Sequence, residues 1–202
     1  MSRPDFEVTG STVWACNEIV NYLKPKLEGS SDREIDKVRT VERHIGRFDT
    51  PQDVKTWLSN RGGGVRIAAL RVMEYETIGN RLIGTVNFVA YVFTADQYGY
   101  EKDTRAEVMT GKLVRELLDR SALPSAYSRP MSVRSDNLYN GKIDELGVAI
   151  WSVTWSQQWY LDVPIDPSDL DDFETFGLRA EIAVGAPVLE GEVPMPQDDP
   201  EP

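Results

Sequence analysis

The chain has 202 residues, a length that suits one domain or one domain with appendages, and at 41% hydrophobic and 27% charged it has a globular composition. One cysteine excludes a disulfide framework and a cysteine-based zinc site, and one histidine excludes a histidine-rich metal cage. No apolar run of about 18 residues argues for a transmembrane helix, and the N-terminal stretch MSRPDFEVTG lacks the apolar core of a secretory signal.

The net charge of −11 is unevenly placed. Residues 143–202 hold 14 Asp and Glu against the single base Arg179, a net −13, which leaves +2 for residues 1–142. A nearly neutral body thus carries an acidic C-terminal segment, either a solubilising tail or an element that docks on a basic partner. No run of Lys and Arg occurs, so a basic nucleic-acid-binding face is not expected.

In chain order, Val13, Cys16, Ile19, Val20, Leu23 and Leu27 recur at helical spacing over 11–27, with Ser11 or Thr12 as cap and a frayed or bent last turn at Pro25. Cys16 lies on that stripe and is expected as a small buried residue. Residues 35–45 alternate loosely, as an edge strand would. Thr50, Pro51 and Asp53 predict a capped helix with Val54, Trp57 and Leu58 on its apolar face. Residues 65–75 and 82–93 predict a hairpin turning at Ile78-Gly79-Asn80, and their apolar middles place both strands at the sheet centre.

Residues 101–120 give the clearest helix, with Ala106, Met109, Leu113 and Leu117 in one stripe, Glu101–Arg105 and Glu116–Arg120 as i,i+4 pairs, and Lys112 and Arg115 outward. A strand follows at about 131–138, then an Asn140-Gly141 turn and a long strand over 146–161. There Ala149, Trp151, Val153, Trp155, Trp159 and Leu161 share one face, interrupted by Gln157, and Ser152, Thr154, Ser156 and Gln158 occupy the other. Trp151, Trp155 and Trp159, with Leu113 and Leu117, are the expected core anchors. Residues 163–202 form an acidic extension in which 178–184 is β-like and 185–202 has a disordered composition.

Chemistry is sparse. His44 has no second histidine to share a metal with, and no serine pairs with it. The acidic string 166–174 fails as an EF-hand loop, because Leu170 or Phe173 falls where an oxygen ligand belongs. Gly62-Gly63-Gly64 follows a helix and precedes a strand, the wrong order for a phosphate loop, and Gly111-Lys112 lies inside a helix. No catalytic, cofactor-binding or metal-binding residue is assigned, and an interaction or structural protein is the favoured class over a small carboxylate enzyme.

The order of elements carries a resemblance. An amphipathic helix precedes a hairpin ending in FVAYVFTAD, then a charged helix of the pattern RAEVxxxKLVRELL, a short strand with NLYN, and the Trp-rich GVAIWSVTWSQQWYL. Over residues 10–162 this resembles the tail-terminator, or neck, proteins of Mu-like bacteriophages. The resemblance implies an α+β fold with a mixed, mainly antiparallel sheet flanked by two or three helices. It implies a virion protein, made and assembled in the bacterial host cytoplasm, that closes as a hexameric homo-oligomeric ring. The ring would sit on the head-proximal end of the tail tube, stop addition of tube protein, and meet the head connector. DNA would pass through its lumen without sequence-specific binding, and no membrane is involved. A head-completion or connector adaptor of the neck stays open beside it. Contacts are expected from Asp96, Gln97, Tyr98 and Tyr100 in one loop, from Arg134, Asn137 and Tyr139, and from Ser152, Thr154, Ser156 and Gln158 on the polar strand face.

Overall fold

The computed structural model describes residues 4–31, 33–45, 62–138, 143, 145–164, 175–180 and 189–194. The expected helix at 50–58 and the Asn140-Gly141 turn lie outside them. The elements are α1 (Thr12–Leu27), β1 (Thr40–Arg43), β2 (Gly64–Ile78), β3 (Arg81–Ala95), α2 (Lys102–Leu117), β4 (Met131–Asn137), β5 (Val148–Tyr160), β6 (Thr175–Ala180) and β7 (Leu189–Pro194). The fold is α+β. Five strands form one sheet in the order β1-β2-β3-β5-β4, antiparallel except for the parallel β1/β2 pair.

α1 forms because its apolar residues fall on one face, where Ala15, Cys16, Ile19, Leu23 and Leu27 are buried. Ser11 caps it, its Oγ accepting the Trp14 amide at 3.2 Å. The helix runs on past Pro25 to Leu27, and the Glu28 amide closes it on the Lys24 carbonyl at 2.9 Å. Burial raises the Cys16 thiol to about 11, as suits a small packing residue.

The hairpin turns through Gly79 and Asn80, both with positive φ, the geometry that matches strand twist. Only β3 is central as expected; β2 departs from the sequence reading. β1 covers only Gly64–Ile67 of β2, and beyond Ala68 the strand is almost entirely exposed. The reason is in its own residues. Arg71, Glu74 and Glu76 interrupt the apolar run, and bulges at Leu70 and Met73 shift its alternation against β3. Gly63 sits at φ 79° with its Cα against the Phe93 carbonyl, so close that a β-carbon would lie 2.3 Å from that oxygen.

α1 and α2 pack on the same face of the sheet. There Ile19 and Leu23 meet Val65, Ile67, Phe88, Met109, Leu113, Leu117, Trp155 and Trp159 in one buried cluster. Trp155 stacks on Phe88 at 5.4 Å, and Trp14 stands edge-on to Trp159 at 5.7 Å. Trp151 is half-buried at the border of this cluster. Gln157, the polar break in the row, is fully buried and satisfied: its Oε1 accepts from Trp155 Nε1 at 3.3 Å and its Nε2 donates to the Ser128 carbonyl at 2.9 Å.

α2 corrects the two expected i,i+4 pairs: Arg105 does not pair with Glu101 but is buried, and Glu116 takes Lys26 of α1. Lys112 reaches Asp36 at 3.1 Å. Separately, β6 and β7 form a two-stranded antiparallel hairpin, with Thr175 opposite Pro194 and Ala180 opposite Leu189. The second strand falls where sequence composition had suggested disorder.

Candidate interaction surface

The Tyr-bearing loop is built by the end of β3 and the start of α2. Gln97 and Tyr100 exchange backbone hydrogen bonds at 3.0 and 3.1 Å across Tyr98 and Gly99. Both central residues have positive φ (49° and 82°), so the loop is a tight two-residue turn and Gly99 suits its place. That turn pushes both rings outward, with Tyr98 64% and Tyr100 51% exposed. Asp96 is spent on local structure, its Oδ1 accepting the Lys102 amide at 2.7 Å.

Beneath the loop, Arg105 acts as a clasp. Its guanidinium donates to the carbonyls of Ala95 (2.6 Å), Ile35 (3.3 Å) and Gly62 (3.3 Å), joining three separate stretches of chain. Desolvation pulls its pKa down, and nearby Asp96 acts in the opposite direction. Sequence spacing paired this arginine with Glu101. Only tertiary contact reveals its role.

The sheet face turned away from the helices carries the rest. Across it, Arg134 lies opposite Thr154, Thr154 opposite Val89, and Ser156 opposite Asn87. Thr154, Ser156 and Arg134 line a shallow groove of about 390 Å³ together with Leu70, Met73 and Asn87. The Asn87 amide approaches the Met73 sulfur at 3.2 Å. Leu70 and Met73 were not foreseen, because they reach this groove through the two bulges, which alternation in the sequence does not announce.

Other expected contact residues fall differently. Ser152 is on the expected face but only 6% exposed, at the end where Phe93, Val148 and Ile150 gather Leu138, Ile143 and Leu146 into a second apolar cluster. Gln158 is half-buried, its backbone amide held by Ser128 Oγ at 3.0 Å. Asn137 ends β4 opposite Trp151, and Tyr139 lies outside the described residues. The tyrosine turn stands at the end of β3, whereas the groove crosses its middle, so the structure forms two exposed areas and not one site.

Chemically, this surface offers hydroxyls, amides, arginines and aromatic rings. Among the described residues, no group of three or more His, Cys, Asp or Glu could hold a metal ion, and no helix is long and apolar enough to cross a membrane. Exposed Tyr and Arg on a rigid frame are the residue types enriched where proteins meet.

No family model matches the chain, and no curated protein matches it. Among solved structures, one chain of the virion of a native gene transfer agent particle is similar at 9% identity and a TM-score of 0.41, over 76% of this chain and 98% of that one.

Proposed function

We propose that the protein is a phage virion structural protein that forms a ring on the head-proximal end of the tail tube, ends tube polymerisation and joins the tail to the head connector. The observation that supports this reading is the division of the sheet. One face is sealed by two helices and the tryptophan cluster, while the other face, the β2 half-strand and the tyrosine turn expose a rigid polar and aromatic surface. That division follows the element order on which the likeness to tail terminators rests. Under this reading DNA passes a lumen that grips few phosphates, so the isolated protein has no strong salt-dependent affinity for duplex DNA.

The test is to add the purified full chain to polymerising tail-tube subunits and follow growth by light scattering. Tube growth that halts in proportion to added protein supports the reading. Unaltered growth, with binding confined to filled heads, contradicts it in favour of a connector adaptor.

A further inference from the structure

Among the described residues, the sheet has an unpaired edge at each end. Beyond Ile67, whose carbonyl accepts the His44 amide at 2.7 Å, no described residue pairs with the outer side of β2 over residues 70–78. At the other end, β4 is the last strand. An open edge that long, bearing Tyr75 at 60% exposure, is a template for another strand.

The two edges are complementary. Three antiparallel steps separate β2 from β4, so the two strands run in opposite directions. A neighbour placed side by side with the same strand direction therefore meets β2 with an antiparallel β4. The backbone phase agrees as well. The Leu138 amide donates to Ile150, so by alternation Val133 and Ser135 turn their backbone groups outward. The Leu161 amide donates to Leu82, so even residues of β3 face β5 and odd residues face β2. Arg71 and Glu74, opposite Asn87 and Thr85, hence point inward, and Val72 and Tyr75 point outward.

Setting Val72 against Ser135 as a hydrogen-bonded pair fixes the neighbours on the face turned away from the helices. Arg71 falls opposite Asp136, and, counting the Met73 bulge as β3 does, Glu74 falls opposite Arg134. Both are opposite-charge pairs at non-hydrogen-bonded positions, where side chains stand closest. All four side chains are exposed, and none has an ion pair among the described residues. A slip by one residue brings the wrong side chains together.

We infer that copies of this chain join by antiparallel pairing of Arg134–Asp136 of β4 in one protomer with Arg71–Glu74 of β2 in the next, with Arg134 facing Glu74 and Asp136 facing Arg71. This rests on the ring reading above, since such a contact is heterologous and a ring is what closes it.

Two full-length variants, Glu74→Cys and Arg134→Cys, test it. Facing Cα atoms at a non-hydrogen-bonded position stand about 4.5 Å apart, within disulfide reach. Mixed and mildly oxidised, the two variants yield a reducible covalent dimer that neither yields alone. In parallel, Glu74→Arg and Arg134→Glu each reduce assembly about tenfold or more, and the doubly substituted chain regains it. If the wild type forms rings or halts tube growth while the mixture stays uncross-linked and the charge exchange restores nothing, the pairing is overturned and the ring stands. If the wild type neither assembles nor halts growth, both fall together.

Discussion

Arg81 holds Asp162 in a two-pronged ion pair. Its Nε and Nη2 reach the carboxylate at 2.7–3.0 Å, the Leu82 amide donates a further bond at 2.8 Å, and the guanidinium lies 4.3 Å from the centre of the Tyr160 ring. The pair ties the first residue of β3 to the chain just past β5, where the packed body ends. Arg81, first through its hydrogen bonds, holds the Asp162 carboxyl below its ordinary range.

A lowered folded-state pKa means that this carboxylate stabilises the fold above its unfolded value, about 3.9, and that the contribution is lost as pH falls through the still lower folded value. Asp162→Asn therefore lowers the melting temperature at neutral pH by about 2–6 °C. The gap between variant and wild type closes well below pH 4. Thermal melts of both proteins from pH 7 to pH 2.5 check it; a gap that persists at the acid end contradicts the assignment.

Arg105 offers a second measurement. Replacing it by Met keeps bulk but strips donors from three carbonyls, at a cost of about 1–3 kcal/mol. Because one of those carbonyls belongs to Ala95, amide exchange in residues 96–101 accelerates more than exchange in the β3/β5 ladder. Equal acceleration everywhere would show a merely global loss.

Trp159 separates packing from hydrogen bonding. Its indole N–H is buried without an acceptor among the described residues, beside the Trp14 ring and Phe88. Trp159→Ala costs about 3–5 kcal/mol through the cavity it opens. Trp159→Phe costs clearly less, because no hydrogen bond is lost and an aromatic ring remains. Urea denaturation of the two variants distinguishes them, and equal losses would show that the N–H matters.

Tyr98 and Tyr100 are expected to do the opposite. Both rings are more than half exposed and support little of the core, so Tyr98→Ala/Tyr100→Ala leaves unfolding stability within about 0.5 kcal/mol. The same change weakens arrest of tube growth at least tenfold. A stable double variant with undiminished arrest removes the turn from the contact surface.

The strands and helices were legible because their signals are local. The Trp-rich row of β5, the stripe of α2 and the cap at Ser11 each depend on neighbours three or four residues away at most. What escaped depends on distant partners. Arg105 is recognisable as a clasp only once Ile35, Gly62 and Ala95 converge on it, and the low exposure of Ser152, on the polar face of its strand, is a tertiary property that alternation does not carry. Likewise β2 reads as an interior strand in sequence, yet β1 is only four residues long and leaves most of it uncovered. The groove combined both cases: Thr154 and Ser156 follow from alternation, and Leu70 and Met73 arrive through bulges that break it.

Electron microscopy of tail tubes grown with the labelled protein tests the central claim most directly. The account predicts short tubes, each bearing a ring of label at a single end and none along its length. Label scattered on tube walls, or bare ends on tubes of undiminished length, would contradict it.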